Sequence, residues 1–293
     1  MTDSWVLKLN RAKHHLKEVD SEIRRFSDSH PYRAVDTGYR KGNVRKFKLE
    51  FTAQPDEMLP VIVGDVIHNI RSALDHVIVA CVPDDRRRKA SFPIVYRKPY
   101  DASGTPLDDE DGKAWAKMTT GLPDDVLALV KALQPFQTPE QSVIDFCSEH
   151  GLDTADLAGM ALIGRWDNAD KHRDLVTIAS GLDEGAVVTI RHGSDPPVEQ
   201  VTDFFCEDGA ELVAIKFTSH PNDSDVRVEV RGTVVVALEV RKERGVSKIP
   251  GTLDRLIGHV REVTDVVWTL ARGLPVLPHT APPISKNGGG SPP

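Results

Sequence analysis

Gly64-Asp-Val-Ile-His-Asn-Ile-Arg-Ser-Ala-Leu-Asp-His-Val-Ile78 reads as a helix with two opposed faces. At about 100° per residue, Asp65, His68, Asn69, Arg71, Ser72, Asp75 and His76 fall within an arc of roughly 160°. Val63, Val66, Ile67, Ile70, Ala73, Leu74, Val77 and Ile78 fill the opposite arc, which therefore faces a core. The polar arc holds two histidines, an arginine and two acids. It has two readings, a site for chemistry or a hydrogen-bonded structural face.

Amphipathic spacing extends outward from this segment. Trp5, Leu9, Ala12, Leu16, Val19, Ile23 and Phe26 recur every three or four residues and predict a helix over 5–28, ended by Ser29-His-Pro31. Residues 43–53 alternate apolar and polar and predict a strand. The helix bearing the polar stripe is expected over 57–81, with Pro60 tolerated in its first turn. A charged loop opens at Pro83, and Ser91-Phe-Pro-Ile94 is an apolar island pinned against the core. Proline, glycine and an acidic run at 108–111 make 99–112 a surface loop.

Helical patterns return over 113–119, 123–133, 139–149 and 154–172. From Leu175 the pattern changes. Residues 175–180, 186–192, 212–218, 226–231 and 233–240 are rich in β-branched side chains, and Gly232 marks a bulge or tight bend between the last two. Leu253, Leu256, Ile257, Val260, Val263, Val267 and Leu270 predict a final helix over 250–273. The fold class expected is α+β, a helical bundle with an inserted antiparallel β-sheet and a returning C-terminal helix. Residues 1–274 form one composite domain in this reading. Its helical part is 1–174 plus 250–274, its sheet insertion is 175–249, and 275–293 is a disordered tail. Two domains with a break near 174 are the alternative.

Arg71 and His76 form R-x-x-x-x-H, which resembles the signature of HEPN-superfamily proteins, helical bundles that include many metal-independent ribonucleases. The resemblance implies an RNA partner and a homodimer. It implies that Arg71 binds or polarises a phosphate and that His76 is the general acid or base, with Asp75 orienting one of them. Lys171 and His172 would be secondary anion contacts. Residue 72 is Ser, where those nucleases usually carry Asn, Asp or His. The chemistry suits the residue types: a histidine exchanges protons near neutral pH, and an arginine stabilises charge developing on a phosphate.

A second cluster, Trp166-Asp-Asn-Ala-Asp-Lys-His-Arg-Asp174, ends the helix over 154–172. His172 and Arg173 suit a helix C-terminus, where positive charge meets the dipole. Alternatively Asp170, Lys171, His172 and Arg173 face the Arg71/His76 stripe and complete one polar site with His68 and Ser72. The ordered set Arg-Ser-Ala-Leu-Asp-His76, Phe-Pro-Ile94, Leu-Gln-Pro-Phe136 and Asp-Lys-His-Arg173 is similar to a bacterial protein family of unassigned function, over about residues 8–178. That similarity implies a shared fold and no activity.

Composition limits the remaining classes. The 293 residues are 40% hydrophobic with a net charge of -7, against a surface coated with nucleic-acid-binding charge. Charge is uneven, with 12 Lys/Arg against 7 Asp/Glu in residues 1–50. Cys81, Cys147 and Cys206 form no C-x-x-C pair, so three thiols in a reducing cytoplasm are expected, with no zinc knuckle or disulfide framework. The apolar runs are too short to span a bilayer, so no membrane association is expected. His68 and His76 are separated by about 12 Å of helical rise, too far to share one ion, so neither metal nor cofactor is expected. No nucleophile elbow, phosphate loop or dinucleotide fingerprint is present. Two function classes remain, an RNA-cleaving or RNA-binding protein, and a non-enzymatic interaction or ligand-binding protein whose polar stripe is a structural network.

Overall fold

The computed structural model describes residues 3–40, 44–137, 157–193, 195–203, 205–217, 226–240 and 246–276. The helix expected over 139–149, Cys147 and the tail from 277 lie outside the described residues. The helices are α1 (Ser4–Asp28), α2 (Leu59–Cys81), α3 (Glu110–Thr119), α4 (Asp124–Ala132), α5 (Leu157–Lys171) and α6 (Gly251–Ala271). The strands are β1 (Tyr32–Arg40), β2 (Val44–Phe51), β3 (Leu175–Leu182), β4 (Val187–His192), β5 (Val198–Val201), β6 (Cys206–Glu207), β7 (Glu211–Lys216), β8 (Val226–Arg231), β9 (Val234–Val240) and β10 (Val246–Ile249).

The helical bundle with one inserted sheet is not what the chain builds. The described strands form three antiparallel sheets, ordered β1-β2-β7, β10-β9-β3-β6 and β5-β4-β8. Two of the ten strands precede α2, and β2 pairs with β7, with Val44 opposite Lys216 and Phe47 opposite Val213. The sheets therefore draw on both ends of the sequence and are no insertion over 175–249. β1 escapes sequence reading because its Asp36-Thr-Gly38 stretch looks like a turn; Gly38 has a φ of 79° there, and the strand register shifts beside it. Gly232 is a corner between sheets: β8 pairs with β4, whereas β9 pairs with β3 and β10. The Tyr32 hydroxyl holds that corner, donating to the Gly232 carbonyl at 2.8 Å and accepting from its N–H at 2.9 Å.

The chain divides into two compact units, with the divisions inside α1, α2, α5 and α6. One comprises Val6–Arg71 and Ile163–Gly258 and holds all ten strands. Its core takes Leu9, Ala12, Val19 and Ile23 from α1 and Val63, Val66, Ile67 and Ile70 from α2, all buried as the periodicity requires. His15 of α1 is buried and hydrogen bonds Glu18 at 2.9 Å. In the first sheet the buried Arg45 pairs with Asp36 at 2.5 Å. Burial pushes the Asp36 carboxyl up, but hydrogen bonds from Arg45 and the Gly38 N–H, with the Arg45 charge, hold it below its ordinary value.

The other unit comprises Met1–Trp5, Ser72–Leu162 and His259–Pro293. Its core includes Ala73, Leu74, Val77 and Ile78 of α2, Trp115, Leu129, Val130 and Phe92. The rings of Trp5 and Trp268 lie 4.9 Å apart, so the final helix returns to the start of the chain, as its apolar stripe predicts.

Candidate functional site

The polar residues of α2 part company along the helix. Within the strand-bearing unit, Asp65 and His68 are exposed, Asn69 is buried and Arg71 is half-buried. Ser72, Asp75 and His76 are half-buried and belong to the helical unit.

In the helical unit the conspicuous motifs hold backbone together. The Phe92 N–H donates to Asp75 Oδ1 at 3.0 Å, anchoring the Phe-Pro-Ile segment. Gln134, the centre of Leu-Gln-Pro, is fully buried. Its Nε2 donates to the carbonyls of Pro93 at 3.0 Å and Val130 at 2.8 Å, while its Oε1 accepts the Val95 N–H at 3.1 Å. A buried extended segment cannot satisfy its own amides, so side chains must do so. Asp75, placed from sequence as a catalytic orienter, thus has one oxygen occupied by this task.

In the strand-bearing unit the Asp-Lys-His-Arg motif builds a helix end. The Arg173 N–H donates to the Asp170 carbonyl and the Asp174 N–H to the Ala169 carbonyl, both at 2.9 Å. This crossed pair is a Schellman cap, whose left-handed position usually carries glycine. Arg173 occupies it instead, with a φ of 59°. The motif thus caps the helix through its backbone, a different device from the charge–dipole cap read from His172 and Arg173. Lys171 is exposed and pairs with Asp167 at 2.6 Å, and His172 is exposed.

Asp170 is the residue this end delivers inward. Its carboxylate lies against the backbone of α2 at Gly64, where a Cβ would stand 2.2 Å from Oδ1 and 2.8 Å from Cγ. Only glycine admits that approach, which explains its presence in the interior of an apolar helix. Burial pushes the Asp170 carboxyl above its ordinary value, and the neighbouring Asp167 and Asp65 carboxylates add to this, with His68 and Lys171 opposing. The structure thus brings Asp170 into electrostatic range of His68 and Asp65.

Asp170 and Arg173 open onto a cleft of about 680 Å³ whose other walls include Glu57, Pro60, Val61 and Leu175. Asp56 and Gln54 also border it. Three carboxylates and one guanidinium therefore meet apolar walls. Sequence reading missed Gln54, and it quoted Gly64 and the Leu-Gln-Pro motif without finding the roles of Gly64 and Gln134. A glycine inside an apolar helix, and a glutamine beside a proline that ends one, were the available signals.

Among the described residues no group of three or more His, Cys, Asp or Glu side chains is placed to hold a metal ion. No helix among them is long and apolar enough to cross a membrane. No family model, curated protein or solved structure matches the chain.

Proposed function

We propose that this protein works by binding, through the cleft of the strand-bearing unit, a ligand that joins a positive charge to an apolar surface. The observation that carries the reading is Asp170, a half-buried carboxylate among other acids, open to a cleft walled by Pro60, Val61 and Leu175. A cation there is favoured by every nearby carboxylate, and a phosphate is opposed by them. Support also comes from the other motifs, since Asp75 and Gln134 are engaged in fixing backbone. The same engagement supports treating the α2 stripe as a structural network.

A thermal-shift screen of primary amines with apolar tails tests the proposal. Compounds that raise the melting temperature of the wild type should lose their effect on Asp170→Asn and on Val61→Asp. Hits indifferent to both substitutions overturn it. The RNA-cleaving alternative has its own test, incubation of total RNA with wild type and His76→Ala in EDTA. Cleavage that survives EDTA and disappears in the variant would transfer the function to Arg71 and His76. Binding as the sole activity gives no His76-dependent cleavage.

A further inference from the structure

We infer that the edge of β3 at residues 175–178 docks an extended peptide, which adds as a strand and sets a lysine or arginine side chain against Asp170. The inference deepens the cleft-binding reading and rests on it.

β3 pairs along its length with β9 on one side. On the other side β6 reaches only Gly181 and Leu182. Among the described residues no strand pairs with that second edge at 175–178. The direction of the backbone groups is fixed by Ala179, whose N–H turns to this side and donates to Gln54 Oε1 at 2.9 Å. In an antiparallel ladder alternate residues bond to alternate sides. Leu175 and Thr177 therefore direct their N–H and C=O groups the same way as Ala179. Gln54 acts as a one-residue stopper, and among the described residues no strand pairs with the edge beyond it.

The lining of the cleft supports edge-on presentation. Leu175, Val176, Thr177 and Ile178 all line it. Successive side chains of a strand leave on opposite faces, so four consecutive residues can border one cleft only where the strand offers its edge. Exposed edges are normally guarded by lysine, proline or a bulge. Leu-Val-Thr-Ile has none of these. Strand addition supplies affinity through main-chain hydrogen bonds and specificity through flanking side chains. The flank here is the acidic end: β3 begins immediately after Arg173 and Asp174, so a residue opposite Leu175 lies nearest Asp170. Pro60 and Val61, the latter 53% exposed, offer an apolar wall.

Amide spectra of the full-length 15N-labelled protein, titrated with acetyl-Val-Thr-Val-Lys-amide, test the inference. Antiparallel addition sets the peptide lysine opposite Leu175 and its threonine opposite Thr177. The amides of residues 175–178 should shift, with millimolar or tighter affinity of the kind expected from so few contacts. Replacing the lysine by glutamate should weaken binding about fivefold or more, and Asp170→Asn should reduce that preference below about twofold. N-methylation of the peptide threonine should cost about tenfold, since it removes the N–H facing Thr177. Shifts that ignore N-methylation, or a glutamate peptide that binds as well as the lysine one, overturn the inference. Acetyl-lysine methylamide separates the two levels. If it shifts Val61 and Arg173 as strongly as the peptide does, cleft binding stands and strand addition falls. If neither compound moves any cleft amide, both fall.

Discussion

Gly64→Ala reverses the usual sign of a glycine-to-alanine change in a helix. In an exposed helix interior the alanine stabilises by about 1 kcal/mol, because glycine surrenders more backbone freedom on folding. At position 64 the new methyl would stand 2.2 Å from Asp170 Oδ1, where ordinary contact begins at 3.4 Å, and Cγ is only 2.8 Å away. Rotating one oxygen aside is not enough, because Cγ as well as Oδ1 must draw back to reach that distance. Forcing an extra methyl into a packed site costs about 1–3 kcal/mol. The net expectation for Gly64→Ala alone is a loss of about 1 kcal/mol. With Asp170→Ala in place the obstruction is gone, and the same substitution should gain up to about 1 kcal/mol. A double-mutant cycle by urea unfolding should therefore return a coupling of about 2 kcal/mol, some 4–8 °C in melting temperature at this chain length. Gly64→Ala stabilising both backgrounds alike, with a coupling below about 0.5 kcal/mol, would refute the close approach and the role given to Gly64.

Three further outcomes follow from the same geometry. Arg173→Gly relieves the left-handed backbone at the cap, worth about 1–2 kcal/mol, against about 0.4–1 kcal/mol of added freedom in the unfolded chain; urea unfolding should show a modest net gain, and a loss would contradict the strain argument. Asp75→Ala strips the Phe92 N–H of its acceptor and should cost about 1–3 kcal/mol with faster amide exchange at Phe92, while Asp75→Asn keeps an acceptor and most of the stability. Asp170 titrates above its ordinary value in the fold, so its contribution is present below the unfolded pKa and declines as pH rises through the window up to the folded one. Asp170→Asn should therefore match wild type near the acid end of that window and exceed it in stability near neutrality, and a constant difference across the pH series would argue against the shift.

Local periodicity carried most of the helices. The apolar arc of α2 is buried residue for residue, and α1 and α6 begin and end within two residues of their expected spans. Alternation found β2 for the same reason, since each of these signals depends only on neighbours within a turn or a pleat. Sheet membership depends on partners, and no local pattern reveals that β2 meets β7 or that the chain changes sheet at Gly232. At the candidate site the sequence exposed Asp170 and Arg173 by residue type. It could not show that Arg173 takes a conformation normally left to glycine, nor that Asp170 reaches the α2 backbone. Asp75 stood out for its place beside His76, yet its observed bond is to an amide seventeen residues away.

The pairing of β2 with β7 also sets a timetable for the ribosome. Lys48 is made well before its partner Glu211, and at about 5–20 residues per second the interval is roughly 8–33 s. Throughout it the nascent β1-β2 ribbon has only two strands, a marginal structure in water, with one edge waiting for its third strand. The strand at that edge, β2, carries Lys46 and Lys48, and positive charge is a common deterrent to unwanted strand pairing. In the finished protein Lys46 meets Glu211 at 2.5 Å, on the strand that finally arrives. The lysines of β2 thus place positive charge beside an edge that stays open during synthesis, and the glutamate of β7 neutralises part of that charge once its strand has been made.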